Sequence, residues 1–71
     1  MSNKDARLIN IGKQIKLLRK KKNLSQLKLS IMLGISREHL SKVERGATPP
    51  SITLLFDIIA LTDGQILITK N

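Results

Sequence analysis

The chain has 71 residues, enough for one small domain. It has no cysteine and a single histidine, His39, which excludes disulfides and clusters of histidine or thiolate metal ligands, so we expect no cofactor. Its apolar runs are too short to span a membrane and its first residues lack an apolar signal segment, which predicts a cytoplasmic protein without membrane contact.

The formal charge of +8 predicts a polyanionic partner. Of 13 basic residues most lie within residues 6–56, where the acidic residues are Glu38 and Glu44. This distribution favours nucleic acid or an anionic membrane, although a merely solvated charged surface has the same composition. A membrane surface is the weaker of the two partners, because the basic helix has too few bulky apolar residues to anchor there. The single aromatic residue, Phe56, argues against binding single strands or RNA by stacking bases on exposed rings.

The first predicted helix follows a polar arm at residues 1–7. Its apolar residues recur at the spacing of one helical face: Leu8, Ile11, Ile15 and Leu18. The helix is expected to end near Lys22, with cations close to its C-terminus, where they complement the helix dipole.

Two short helices are predicted next. Ser25 is a typical N-cap for a helix over residues 26–33, which Gly34 ends because glycine adopts the left-handed conformation readily. Ser36 is a second N-cap and predicts a third helix over residues 37–45.

A fourth helix and a tail complete the chain. Thr48-Pro49-Pro50 is predicted as a loop, because neither proline fits a helix interior. Ser51 then caps a fourth helix with apolar residues up to Leu61. Asp63-Gly64 is a turn signal, and the β-branched and apolar residues of the segment 65–70 predict a strand.

Residues 26–45, QLKLSIMLGISREHLSKVER, have the pattern of a helix-turn-helix. Gly34 begins the turn, and the small Ser30 lies where two helices must approach closely. The apolar residues expected on the inner sides are Leu29, Leu33, Ile35, Leu40 and Val43. These features in this order, namely two short helices, a glycine turn, a small residue and inner apolar positions, predict a DNA-binding helix-turn-helix.

The stretch from residue 11 to residue 61 resembles the Cro/phage-repressor (XRE-like) helix-turn-helix family, with the segments LSQ, LGIS and ERG at family spacing. The resemblance implies an all-α bundle of four to five helices of the lambda-repressor-like DNA-binding type, whose third helix enters the major groove. It also implies a structural salt bridge between Arg19 and Glu44, where the alternative for Arg19 is a phosphate contact.

The predicted DNA-binding residues lie on and around the third helix. With its apolar side inward, four side chains point outward toward base edges: Arg37, Glu38, Ser41 and Lys42. The basic ones suit the guanine acceptors O6 and N7, and the carboxylate suits cytosine N4, unless they only solvate this face. Further DNA contacts are expected from helix starts and from the following loop: Gln26, Ser36, His39, Arg45 and Thr48.

Leu27 and Ile31 depart from the family pattern, because these positions are commonly polar. We expect them to be core residues of a slightly rotated helix. The alternative is an exposed apolar patch, which marks a surface for a partner.

The tail predicts a homodimer. No other strand is predicted, so Ile66, Leu67 and Ile68 are expected to pair with a second copy across a two-fold axis, unless the tail is frayed. The chain then divides into an arm (1–7), a DNA-binding domain (8–61) and a dimerisation strand (62–71). Its partner is double-stranded DNA with a palindromic operator.

This arrangement resembles HipB-like antitoxins, which repress their own operon and bind a kinase-type toxin. The resemblance implies an autoregulatory antitoxin; the alternative is a stand-alone phage-type repressor or restriction–modification controller. No enzyme is predicted, since the sequence shows no nucleophile–base pair, paired carboxylates or phosphate loop.

Overall fold

The computed structural model describes residues 5–68 and contains four helices. They are α1 (Ala6–Lys21), α2 (Gln26–Leu33), α3 (Arg37–Glu44) and α4 (Ile52–Thr62). The all-α prediction and the order of the helices are confirmed, and residues 5–68 form no strand. None of these helices has the length and apolar character needed to traverse a bilayer.

The three predicted serine caps are confirmed. The Oγ atoms of Ser25, Ser36 and Ser51 accept hydrogen bonds from backbone N–H groups of the first turns of α2, α3 and α4, at 3.0, 2.9 and 3.0 Å. First-turn N–H groups have no partner inside their helix, so each cap stabilises its helix by about 1 kcal/mol.

The N-terminal arm predicted over residues 1–7 is too long. Asp5 caps α1 by accepting a hydrogen bond of 2.8 Å from the Arg7 N–H, and the Arg7 guanidinium binds the same carboxylate. These hydrogen bonds lower the pKa of Asp5 to about 2. The helix therefore begins at Ala6, ahead of its apolar stripe, and the first four residues lie outside the described part of the chain.

The core receives apolar side chains from every helix. Its buried members are Ile11, Ile15, Leu29, Leu40, Val43, Leu54, Leu55 and Ile58. Partly buried residues pack around them: Leu24, Leu33, Ile35, Leu61 and Ile66. The predicted inner residues of the helix-turn-helix are therefore confirmed. Of the predicted inward stripe of α1, Ile11 and Ile15 lie in the core, whereas Leu8 and Leu18 are half-buried outside it.

Helix α1 crosses α3 at Gly12. A Cβ atom at this position would lie against the main-chain carbonyl oxygens of Val43 and Glu44, so the two helices approach this closely only because residue 12 has no side chain. The sequence gives no sign of this role, since a glycine inside a helix ordinarily only weakens it.

The predicted C-terminal strand does not form within the described chain. Helix α4 extends through the buried Thr62, so the tail begins later than predicted. Ile66 then packs against the core, and Leu67 bonds to Gln14 of α1. No strand of residues 5–68 lies beside the tail, so the tail forms no ladder within this part of the chain. Residues 69–71 lie outside the described part.

We expect Gly12→Ala to lower the free energy of unfolding by about 2 kcal/mol, because the added methyl group meets main-chain atoms that cannot rotate away. Urea unfolding followed by circular dichroism measures the change. Lys16→Ala, on the exposed side of the same helix, is the control and should change stability by less than about 0.5 kcal/mol. Equal stability of the two variants would contradict the close crossing.

Candidate nucleic-acid interface

A three-residue turn joins α2 to α3. Gly34 has a φ of 73° and donates its N–H to the Ile31 carbonyl at 3.2 Å, while Ile35 donates to the Ser30 carbonyl at 3.0 Å. The half-buried Ile35 packs against the core, and Ser30 is almost fully buried between the helices. These contacts satisfy two of the open carbonyls at the end of α2 and fix the direction in which α3 starts.

Arg19 and Glu44 form a buried, bidentate ion pair between α1 and α3. The guanidinium Nε lies 2.7 Å from Glu44 Oε2, and Nη2 lies 3.0 Å from Oε1. Only 8% of the Arg19 side chain and 2% of the Glu44 side chain are exposed. This places Arg19 in the scaffold, away from a phosphate-binding role.

Two further groups complete the network around this pair. Nη1 of Arg19 donates to the Leu24 carbonyl at 2.9 Å, and the side-chain nitrogen of Gln26 donates to Glu44 Oε1 at 3.0 Å. Among the described residues, no buried side-chain nitrogen or oxygen lacks a partner. Because Glu44 is bound from α1 and α2 at once, the orientation of α3 is fixed relative to both.

Gln26 was predicted at a DNA phosphate, and the structure adds a second role. Its amide group supports the carboxylate that holds α3, and the side chain is half-buried. An amide has two N–H donors and one carbonyl acceptor, so the bond to Glu44 leaves further hydrogen-bonding capacity at the start of α2.

The side of α3 that faces away from the core carries the predicted base-reading residues. Arg37, Glu38 and Lys42 are exposed, as are the flanking His39 and Arg45. Ser41 and Thr48 are half-buried at the edge of this surface, and the Oγ of Ser36 caps α3. The structure therefore brings the predicted residues together around a single helix.

The basic residues on this face form no ion pair with an acidic residue of the described part of the chain. Within residues 5–68 the ion pairs are Arg7–Asp5, Arg19–Glu44 and Lys22–Asp63, all away from the exposed face of α3. An exposed guanidinium or ammonium group without an internal carboxylate suits the phosphates and the guanine edges of duplex DNA.

Leu27 and Ile31 are not core residues, so the expectation of a rotated helix is wrong. The inward side of α2 is set by the buried Leu29 and Ser30, which places Leu27 and Ile31 on the opposite side, 56% and 66% exposed. Met32, next to them, is 43% exposed. We call these three residues the α2 surface.

A four-helix scaffold that holds a basic, exposed α3 through a buried ion pair defines a DNA-binding regulator of the helix-turn-helix class. The family model described as Helix-turn-helix matches residues 15–66. The chain therefore belongs to this family, in its XRE-like (Cro/phage-repressor) branch, as the resemblance implied.

One relative is named as a transcriptional regulator and another as an antitoxin. The chain is 39% identical over 57 residues to the HTH-type transcriptional regulator SlrR of Bacillus subtilis, covering 79% of this chain and 38% of SlrR. It is 51% identical over 49 residues to the antitoxin PezA of Streptococcus pneumoniae, covering 69% of this chain and 30% of PezA. The chain thus spans about a third of the length of each.

Solved structures share the fold. The restriction–modification controller protein C.AhdI from Aeromonas hydrophila superposes with a TM-score of 0.79 at 30% identity, covering 86% of this chain and 92% of C.AhdI. The biofilm-formation regulator SinR, solved in complex with DNA, superposes with a TM-score of 0.70 at 36% identity, covering 78% of this chain and 89% of SinR.

Arg19→Met should destabilise the protein by about 3–5 kcal/mol, because it leaves the Glu44 carboxylate buried without a counter-charge. The double variant Arg19→Met/Glu44→Leu should recover most of that loss, since no unpaired charge remains. Urea unfolding of both variants measures the two effects. A double variant no more stable than the single one would show that the loss comes from packing and not from charge.

Proposed function

We propose that the protein is a sequence-specific transcriptional repressor that binds duplex DNA with α3 in the major groove. The observation that carries the proposal is the exposed face of α3, whose basic side chains have no acidic partner within residues 5–68 and whose orientation is held by Glu44. The likeness to SinR, which was solved with DNA, supports it.

In this proposal the first two turns of α3 read bases. Arg37 and Lys42 donate to O6 and N7 of guanine, Glu38 accepts from N4 of cytosine, and Ser41 bonds to either kind of base edge. The major groove of duplex DNA is about 12 Å wide, so an α-helix fits into it and its side chains reach the base edges.

The residues around α3 position the protein on the DNA backbone. Ser36 and Gln26 lie at helix starts, where unpaired N–H groups favour phosphate, and Arg45 and Thr48 follow α3 in the loop. His39, exposed in the first turns of α3, lies between the two groups of contacts and donates to a base or a phosphate.

The proposal includes a homodimer on a palindromic operator. The tail has no strand to pair with among residues 5–68, whereas a second copy supplies an identical segment. Two tails paired across a two-fold axis would place two copies of α3 in successive major grooves, about 34 Å apart.

A second candidate function, that of an antitoxin, is favoured by the α2 surface. Contacts with phosphate do not need apolar groups, and exposed apolar patches mark protein partners. The likeness to the antitoxin PezA supports a toxin as that partner. The resemblance to HipB-like antitoxins implies that this toxin is of the kinase type. The protein would then repress its own operon. The likeness to C.AhdI supports the stand-alone alternative, a repressor or restriction–modification controller without a toxin.

Selection from a random DNA library gives the operator on which the reading residues are tested. Arg37→Ala should weaken operator binding by about 5- to 150-fold and leave non-specific binding nearly unchanged, since a bidentate base contact contributes about 1–3 kcal/mol of discrimination. Arg45→Ala should weaken binding to all sequences alike and reduce the slope of log affinity against log salt by about 1. Lys16→Ala serves as the control, and a loss for Arg37→Ala no larger than for this control would exclude α3 as the reading helix.

The antitoxin role is tested by purifying tagged protein from the native host. A stoichiometric partner should co-purify with the wild type and be lost from Leu27→Ser/Ile31→Ser, while operator binding stays unchanged, because the α2 surface lies outside α3. Leu17→Ser removes a leucine of α1 that is 63% exposed and is the matched control. No partner with wild type or variant would contradict the antitoxin role and leave the stand-alone repressor.

A further inference from the structure

Gln14 of α1 holds the tail through both backbone groups of a single residue. Its Oε1 accepts a hydrogen bond of 2.7 Å from the Leu67 N–H, and its Nε2 donates one of 2.7 Å to the Leu67 carbonyl. The same Nε2 also donates its other hydrogen to Oδ1 of Asn10, one helical turn earlier, at 2.7 Å. Both donors of the carboxamide are therefore used, and its orientation is fixed.

The two hydrogen bonds between Gln14 and Leu67 have the pattern that two neighbouring antiparallel β-strands form between paired residues. In an extended chain the N–H and C=O of one residue point to the same side, and two strands exchange both bonds at alternate residues. A carboxamide offers the same donor and acceptor as a peptide group. Gln14 thus occupies, at Leu67, the place of one residue of an adjacent strand.

The opposite edge of the tail forms no hydrogen bond with the described residues. In extended backbone the groups of Ile66 and Ile68 point away from the side on which Gln14 binds Leu67. No hydrogen bond formed within residues 5–68 involves the backbone of Ile66 or Ile68. Leu67 and Ile68 are also 70% and 59% exposed, which is costly for large apolar side chains in water.

We propose that Gln14 seals one edge of the tail, so that a second copy of the chain pairs along the other edge, through Ile66 and Ile68. The inference rests on the dimer proposed above and assigns its edge and register. Gln14 acts as a positioning residue, because it binds the backbone groups of Leu67 and leaves those of the even-numbered residues for the second copy. Leu67 itself then forms no backbone hydrogen bond with the second copy.

Charge favours a second copy as the occupant of this edge. The protein carries +8 overall, so most of its surface repels a second copy, but residues 64–68, GQILI, are uncharged. The segment is also self-complementary in an antiparallel, two-fold pairing, since each copy offers the same donors and acceptors. A strand from a different protein is the competing occupant.

Amide hydrogen exchange by NMR, with sedimentation of the same samples, tests the inference. In the wild type, the Ile66 and Ile68 amides should become protected as protein concentration rises and dimers form, whereas protection of the Leu67 amide should not depend on concentration. Gln14→Leu should remove the Leu67 protection and weaken dimerisation by about 10-fold, because the tail loses two hydrogen bonds that order it. Gln14→Glu, which keeps the acceptor but loses the donor, should weaken dimerisation as well.

Gln65→Ala is the matched control, since Gln65 is an exposed glutamine two residues before Leu67 and makes no hydrogen bond within residues 5–68. Circular dichroism of each variant verifies that the fold is kept. A dimer whose Leu67 amide is insensitive to Gln14→Leu would overturn the role of Gln14 and leave the proposed dimer standing. A wild type that stays monomeric, with the Leu67 amide still protected by Gln14, would refute the pairing and the proposed dimer, even if a strand from another protein occupied the edge.

Discussion

The orientation of α3 depends on one buried carboxylate. Glu44 is the last residue of α3, and it receives hydrogen bonds from Arg19 of α1 and from Gln26 at the start of α2. A carboxylate this deeply buried is stable only with its counter-charge in place, so any rotation of α3 that separates the pair carries a large cost. The close crossing at Gly12 brings α1 near enough to α3 for the pair to form.

This arrangement separates charges that are paired within residues 5–68 from charges that are exposed without an acidic partner there. Asp5, Glu44 and Asp63 each pair with a basic residue, and the Glu44 pair is buried whereas the other two are exposed. The remaining acidic residues are Glu38, on the exposed face of α3, and Asp57, exposed on α4. Most basic side chains therefore keep their charge for long-range attraction to DNA, and the exposed face of α3 concentrates several of them on one element of fixed direction.

Much of the fold could be predicted from the sequence, because the signals are local. Serine caps, a glycine with positive φ at the end of α2, and apolar residues at helical spacing each act over one or two turns. The same spacing separates the inner side of α3 from Arg37 and Lys42, so the candidate DNA-binding face could be listed residue by residue. The Arg19–Glu44 pair came from the family resemblance, since its partners lie 25 residues apart.

The features that could not be predicted depend on contacts between distant segments. Gly12 is informative only once α3 is known to cross it, and the carboxamide of Gln14 meets a residue 53 positions away. The exposure of Leu27 and Ile31 follows from the rotation of α2 about its axis, which the packing of Leu29 and Ser30 decides. The cap at Asp5 is an exception, because it is a local contact with Arg7; it could not be recognised from the apolar stripe of α1, which begins after it.

We propose that α3, held by Glu44, is the part of the protein that contacts DNA. An NMR titration with a duplex containing the selected operator half-site tests it most directly, by mapping which backbone amides shift. We expect the largest shifts at residues 36–48, with little change on the exposed side of α1 around Leu17. Shifts concentrated on the lysines of α1, with residues 36–48 unaffected, would contradict it.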